Sequence, residues 1–477
     1  MLKKILKLNT KNENYNLQTY RISGLTEKYV NNQSHQNILS SKQFDTKITE
    51  IINNFPLFDS NNLIPYPNQS AITQKLWLKR ISKNVNQTLT EPPMLITKSP
   101  KDSEIEYILP FSSDLKLRGN YLSPYGNLRI GRLLEDLDSI AALVTLKHCE
   151  NENDGYKKFF VTVSVDTINI LMPLMPDRDI KLNGVTTWVG NSSMEIMIKV
   201  SSKDNETNKW SPILVTTFTM VCLDKKTMKP TKINSLKVET PFEKKLFEDS
   251  EKRRSKRLNS NDYLSLNSLK KINNLLIPSN HKSPLEIDFE EENHSLKDLN
   301  SQLIPMESTK NNSIILCQPQ EKNINDKIFG GYLIRMGLEN AFSTCMMKFS
   351  ESLPVLKSID GFKFLKATEV GDILNFESTI TYTKPINENS ENPSYYTQLQ
   401  VLVYATNPFI GEKQLTCIFN FTFHCPSSPH ENSNKKIKQI LPQNYSEGIR
   451  YLKGKRIIDN FLKLENSPSQ LDVFKNE

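Results

Sequence analysis

Several chemistries are missing from this 477-residue sequence. It holds no Gly-x-Ser-x-Gly step, the sharp turn that exposes a serine nucleophile, and so gives no sign of a serine hydrolase. It has no Gly-x-x-x-x-Gly-Lys-Ser/Thr loop and no Gly-x-Gly-x-x-Gly, so neither common cradle for nucleotide phosphates is present. The six histidines are scattered and no His-Glu-x-x-His occurs, which removes the usual signatures of a metal centre. The six cysteines, 149, 222, 317, 345, 417 and 425, include no Cys-x-x-Cys pair. Several sit inside apolar strand or helix patterns, as small buried hydrophobes in a reducing compartment do. No apolar run approaches the roughly 18 residues that a membrane-crossing helix needs. Lys and Arg number 61 against 53 Asp and Glu, and this near balance, without interleaved basic and aromatic clusters, argues against a nucleic-acid binder. A net charge of +8 equally suits a small polyanionic ligand.

What is present is a repeated unit. A Gly-Gly step leads into an apolar helix at Asn323-Ile-Asn-Asp-Lys-Ile-Phe-Gly330-Gly331-Tyr-Leu-Ile, and a weaker copy lies about 200 residues earlier, Tyr125-Gly-Asn-Leu-Arg-Ile-Gly131-Arg-Leu-Leu-Glu135-Asp136-Leu137-Asp138. Two glycines let backbone come close to a ligand, and the helix N-terminus behind them offers unpaired N–H groups to an oxygen such as a thioester carbonyl.

Each copy is followed by strand-like stretches in a similar order. In the first unit, 105–230, the spacing of Ile130, Leu133, Leu134, Leu137, Ala141 and Val144 predicts a helix over 128–147. Strands are expected at 159–170, 180–189, 194–200 and 213–223. In the second unit, 312–426, a strand at 313–317 precedes a helix over 329–348, and strands follow at 361–366, 372–383, 395–404 and 414–424. One long helix and several antiparallel strands, used twice, predict an α+β fold in which each sheet wraps a central helix.

The rest of the chain is more polar. Residues 1–100 are Asn- and Ser-rich, with helical stretches expected at 43–54 and 72–84. The start, Met1-Leu-Lys-Lys-Ile-Leu-Lys-Leu, is basic and apolar, with no acid before Glu13 and no Arg before Arg21; it is too short and interrupted for a secretory signal. A mitochondrial presequence and an ordinary Asn-rich tail both remain open. The charged linker, 235–311, carries Lys252-Arg-Arg-Ser-Lys-Arg257, read as the solvated face of a helix or as a phosphate site. A last helix is expected over 440–465, packing through Ile449, Leu452, Ile458 and Phe461.

Several segments together resemble the two-domain hot-dog acyl-CoA thioesterases of the mitochondrial type. They are Leu128-Arg-Ile-Gly-Arg-Leu-Leu-Glu-Asp-Leu-Asp138, Lys147-His148, Pro176-Asp-Arg-Asp-Ile-Lys-Leu-Asn-Gly184, Trp188-Val-Gly190, Ser192-Ser-Met-Glu195, the stretch from Pro319 to Leu333, Glu369-Val-Gly-Asp372 and Tyr445-Ser-Glu-Gly448 with Tyr451-Leu-Lys-Gly-Lys-Arg456. The resemblance spans about 105–460. It implies two fused hot-dog units, hydrolysis of acyl-CoA to free acid and CoA without metal or other cofactor, assembly of several copies, and a mitochondrial matrix location, with the cytoplasm as the alternative. A non-catalytic acyl-CoA-binding or structural hot-dog subunit is the competing reading. A hot-dog dehydratase would need a His and acid pair, and no His lies near either glycine loop.

Thioester hydrolysis needs an activated water and a polarised carbonyl. Backbone N–H groups at Gly330 and Gly331 could hold the developing oxyanion, and a carboxylate on the facing central helix could be the base. Asp138 is the first choice: it follows Leu137 on a helix expected to be enclosed, where apolar surroundings raise a carboxyl pKa. It could equally be a solvated acid beside Glu135 and Asp136. Glu321, in the second loop, and Glu339, one position past the counterpart of Asp138 when Gly131 and Gly331 are aligned, are the competing bases. Asn323 could orient the water or bond the thioester, or simply close a turn. In hot-dog pairs a site joins the loop of one unit to the helix of the other, which sets Asp138 against Asn323, Gly330 and Gly331. The family's His before the Gly-Gly is Phe329 here, and the first loop has only Gly131, with Ser123 opposite Asn323. One competent site and one inert or binding site are therefore expected.

Overall fold

The computed structural model describes residues 70–73, 94–150, 158–170, 172, 174–224, 227–259, 303–323, 327–348, 353–386, 394–426 and 439–465. The chain divides at Pro65, and every described residue belongs to the unit from Tyr66 to Glu477. The expected helix at 43–54 and most of that at 72–84 lie outside the described residues; 71–73 are helical.

In chain order the first half contains β1 (Ile105–Leu109), α1 (Ile130–Cys149), β2 (Lys158–Val165), β3 (Ile180–Val189), β4 (Ser193–Lys203) and β5 (Trp210–Asp224). A helix, α2 (Pro241–Asn259), follows. The second half contains β6 (Asn311–Leu316), α3 (Gly330–Lys348), β7 (Val355–Ile359), β8 (Phe362–Phe364), β9 (Ile373–Pro385), β10 (Tyr395–Thr406) and β11 (Lys413–Cys425), and the described chain ends in α4 (Tyr445–Glu465). Among the described residues the halves share one antiparallel sheet in the order β6-β9-β10-β11-β8-β2-β5-β4-β3-β1. The seam is β8 against β2, with Phe362 opposite Val165 and Lys363 opposite Ser164. A second tie pairs Ser358 and Ile359 of β7 with Asn169 and Ile168.

Each half is a sheet wrapped around its long helix, and the fold is two fused hot-dog units. The long strands alternate, so that in β3 Ile180, Leu182 and Gly184 turn inward while Lys181, Asn183 and Val185 are only partly buried. The α1 helix is buried nearly all round, because one side meets its own sheet and another meets α3.

The loops before the two helices are folded alike at an offset of 200 residues. Arg129 N–H donates to the Tyr121 carbonyl as Phe329 N–H does to that of Glu321, and Ser123 N–H donates to Asn127 as Asn323 N–H does to Lys327. Leu122 bridges Leu128, and Lys322 bridges Ile328. These bridges hold Leu128 and Ile328 outside the helices, and α1 and α3 begin two residues beyond them, at Ile130 and Gly330.

Two strands, β1 and β7, carried no clear sequence signal; both are five residues long and pair within the sheet. The basic run does fall on a helix, yet it is not wholly solvated. Arg253 donates from Nε to Oε1 of Glu195, an acid only 1% exposed, at 3.2 Å, and the Arg254 guanidinium lies 5.0 Å from the Trp188 ring centre. In α4, Ile458 and Phe461 pack with Tyr396, whereas Ile449 and Leu452 are half-buried. All six cysteines are buried and unbridged.

Candidate active site

The first turns of α1 read Arg132-Leu-Leu-Glu135-Asp136-Leu-Asp138-Ser139, and all four charged side chains are buried. Buried charge is tolerated only with partners. Successive helical positions are about 100° apart, so the three acids fan out to different neighbours. Glu135 faces α3, where Oε1 accepts from Arg335 Nε at 2.6 Å and Oε2 from Arg132 Nη1 at 3.1 Å. Asp136 faces the chain before β1: Oδ1 accepts from Ile72 N–H at 2.9 Å and Oδ2 from the Tyr121 hydroxyl at 2.5 Å. Burial pushes the Asp136 carboxyl up to about 7.

Asp138 is the acid that borders a cavity. It is 3% exposed. Its Oδ2 accepts the Gly331 N–H at 2.8 Å and its Oδ1 the Thr162 hydroxyl at 2.8 Å. Burial raises its pKa to about 6, against the lowering effect of those two donors. The cavity, of about 450 Å³, lies where the second-half loop meets α1 and β2. The first half supplies an apolar wall including Ala142, Leu146, Phe160, Met220 and Leu223. The second half supplies Asn323, Lys327, Gly330, Lys366 and Thr368.

The Gly-Gly step is what lets the halves meet. The N-terminal turns of α1 and α3 run antiparallel and touch, and a Cβ on Gly331 would lie 2.8 Å from Cα of Glu135. A Cβ on Gly330 would lie 3.0 Å from Oδ2 of Asp138. The close approach delivers the Gly331 N–H to the carboxylate, so this amide, expected from the sequence to face an oxyanion, is engaged with Asp138.

The other sequence candidates are placed as follows. Asn323 lines the cavity, and its Oδ1 accepts Lys327 N–H at 3.2 Å, which closes the loop. Glu321 is half-buried with its pKa raised by burial; it lies near Arg335 and Glu135 and does not line the cavity. Glu339 is clamped in ion pairs, 2.7 Å from Arg129 Nη2 and 3.8 Å from Arg335 Nη1. Gly131 accommodates Arg335, whose Cγ would lie 2.8 Å from a Cβ there. The loop–helix junction related by duplication is thus filled with guanidinium groups. His148 is fully buried, with Nε2 3.0 Å from the Asn234 carbonyl. Arg178 pairs with Asp204 at 3.1 Å, not with the acids beside it.

Sequence reading did not single out Thr162. It lies 24 positions past Asp138 in an ordinary Val-Thr-Val-Ser alternation, and only the β2–α1 contact brings it to the carboxylate. Nor did it single out residues 70–73.

The two wrapped helices, with a buried carboxylate on the wall of an amphiphilic cavity, make this a double hot-dog protein with a candidate active site. No family model matches the chain. The chain is 31% identical over 407 residues to acyl-coenzyme A thioesterase 2, chloroplastic, of Humulus lupulus, across 82% of this chain and 89% of that protein. It is 33% identical over 372 residues to acyl-coenzyme A thioesterase 9, mitochondrial, of Mus musculus, across 76% and 79%. Among solved structures, an apo-hexameric acyl-CoA thioesterase aligns at 26% identity and a TM-score of 0.29, across 35% of this chain and 98% of that one. The chain belongs to the acyl-CoA thioesterase family and is a thioester hydrolase of that family.

Proposed function

We propose that the chain hydrolyses acyl-CoA by general-base catalysis at Asp138. The observation that carries this reading is the placement of Asp138: a buried carboxylate on a cavity wall, with its pKa near 6, beside the N-terminus of α3. Such an acid is ionised at neutral pH and still basic enough to take a proton from water. The water oxygen bonds to the thioester carbon and its proton passes to Asp138. The tetrahedral oxyanion then collapses, the C–S bond breaks, and the proton returns to the departing CoA thiolate.

The oxyanion donor is Gly330 N–H, in the first position of α3, where no intrahelical acceptor exists and the helix dipole favours negative charge. Gly331 N–H orients the base, as does Thr162. Asn323, on the same cavity, positions water or the thioester. Lys327 and Lys366 both line that wall, two basic residues suited to the phosphates of CoA; the Lys327 ammonium pairs with Glu369 and that of Lys366 donates to Oε1 of Gln414. The relatives' mitochondrial and chloroplastic names support an organellar location, which imaging of a tagged full-length chain tests. Assembly of several copies is checked by light scattering.

The functional test is CoA release from short, medium and long acyl-CoA esters by the purified protein and its Asp138→Asn variant. Release that collapses in the variant supports the reading. Release that survives removes Asp138 from the role of base.

A further inference from the structure

One part of the cavity wall belongs to neither duplicated half. Residues 70–73 lie far before β1, yet hydrogen bonds to Asp136 and Ser139 fasten them to α1. Ile72 is 0% exposed and gives its N–H to Asp136; Ala71 N–H donates to the Tyr121 hydroxyl at 3.0 Å, and that hydroxyl donates to Asp136. The Thr73 hydroxyl lies 2.6 Å from that of Ser139 and 2.7 Å from that of Ser70. Thr73 lines the same cavity as Asp138. A buried acid two residues before the proposed base thus serves to hold a separate piece of chain against the cavity.

The part of the cavity it joins is the apolar one. Asp138, Ala142 and Leu146 all line it, and positions i, i+4 and i+8 form one stripe along α1. From carboxylate to Leu146 the stripe is about 12 Å long, which matches an extended chain of roughly nine methylenes. Ala142 is the smallest side chain on this stripe and leaves the bore open. Ser139, which holds Thr73, is the i−3 neighbour of Ala142 on α1, so Thr73 stands beside the stripe close to Ala142.

We infer that Thr73, held in place by the clamp on residues 70–73, forms part of the wall of the acyl-binding half of the cavity, and that Thr73 and Ala142 select the acyl group by length. This rests on the thioesterase reading above. Asp136 is then a positioning residue that acts through the segment it clamps.

The test is the ratio of kcat/KM for a twelve-carbon acyl-CoA to that for a four-carbon one, in Ala142→Phe, Thr73→Phe and the milder Thr73→Leu, with melting curves to confirm folding. Added bulk beside the stripe should lower this ratio at least 30-fold in Ala142→Phe and Thr73→Phe, and at least 5-fold in Thr73→Leu. A ratio that stays within about threefold of wild type in Ala142→Phe overturns the placement of the acyl chain. A change in Ala142→Phe with neither folded Thr73 variant moving the ratio removes the segment from the wall and overturns the inference. Failure of the thioesterase reading looks different: the unaltered protein would release no CoA from either ester.

Discussion

Replacing Asp138 by Asn should make the protein slower and more stable at once. Burial lifts the folded-state pKa from 3.8 to about 6, so keeping the carboxylate ionised above that value destabilises the fold. At about 1.36 kcal/mol per unit, the penalty at pH 7.5 is about 3 kcal/mol. Asparagine has the same shape and no charge. Its Oδ1 can accept Gly331 N–H and its Nδ2 can donate to the Thr162 hydroxyl, so neither neighbour is orphaned. A raised folded-state pKa means that the group favours folding most at low pH and that this support is lost as pH rises through about 6. The variant's advantage should therefore approach 3 kcal/mol at pH 7.5, fall to about half that at pH 5, and vanish below the ordinary Asp value. Urea unfolding of both proteins at these pH values measures it, and CoA release should fall about 100-fold or more. A variant destabilised by more than about 1 kcal/mol at pH 7.5, or one keeping over about a tenth of the turnover, would refute the reasoning on stability or on catalysis respectively.

Three other perturbations follow from the same contacts. Thr162→Val removes a donor that lowers the Asp138 pKa, so the acid limb of the kcat/KM profile, expected near pH 6, should move up by about half a unit to one unit; an unmoved limb would separate Asp138 from that limb. Glu135→Ala leaves Arg132 and Arg335, each under 10% exposed in its side chain, without their shared carboxylate, and should destabilise by about 3–5 kcal/mol in urea unfolding. Gly331→Ala drives a Cβ against the Glu135 backbone, which cannot rotate away. It should cost about 1–3 kcal/mol and lower turnover by pulling the amide from Asp138; wild-type stability would show that the helices have slack.

Much of the architecture was legible because the duplication repeats its signals. The two helices and long strands such as β3 and β9 each carry an apolar period, and the offset of 200 residues tied the loops together before any contact was known. The short strands were not legible: β7 has five residues, too few for a period, and is held by pairing with β11 and with Ile168 and Asn169. At the site, the sequence could name Asp138 as the first choice for the base but could not tell it from a solvated acid beside Glu135 and Asp136. Asp136 and Asp138 are both buried on the same helix, and only their directions distinguish them, one toward Ile72 and Tyr121, the other toward the cavity. Thr162 and residues 70–73 were invisible for a related reason. A threonine in an alternating strand, and an Ile in an Asn-rich stretch, gain meaning only from what tertiary packing sets beside them.

The two loop–helix junctions share a backbone and differ in what fills them, which bears on how many substrates one chain binds. In the second-half loop Gly331 meets α1 at its backbone, and no side chain intrudes between the Gly331 amide and Asp138. In the first-half loop Gly131 meets the Arg335 side chain instead, and Arg129, in the place of Phe329, reaches Glu339 at 2.8 Å through Nε. The counterpart of Asp138 in α3 is Leu338, which is buried and carries no proton-accepting group. The Arg335 guanidinium cannot leave Glu135 without stranding a buried charge unpaired, a cost of several kcal/mol that acyl-CoA would have to overcome to enter there. One working site per chain is therefore the expectation. Titration calorimetry with a non-hydrolysable acyl-CoA analogue should give a stoichiometry near one per chain, and Asp138→Asn should not change it. A value near two would mean that the ion-pair cluster opens to substrate and that duplication has left two usable sites.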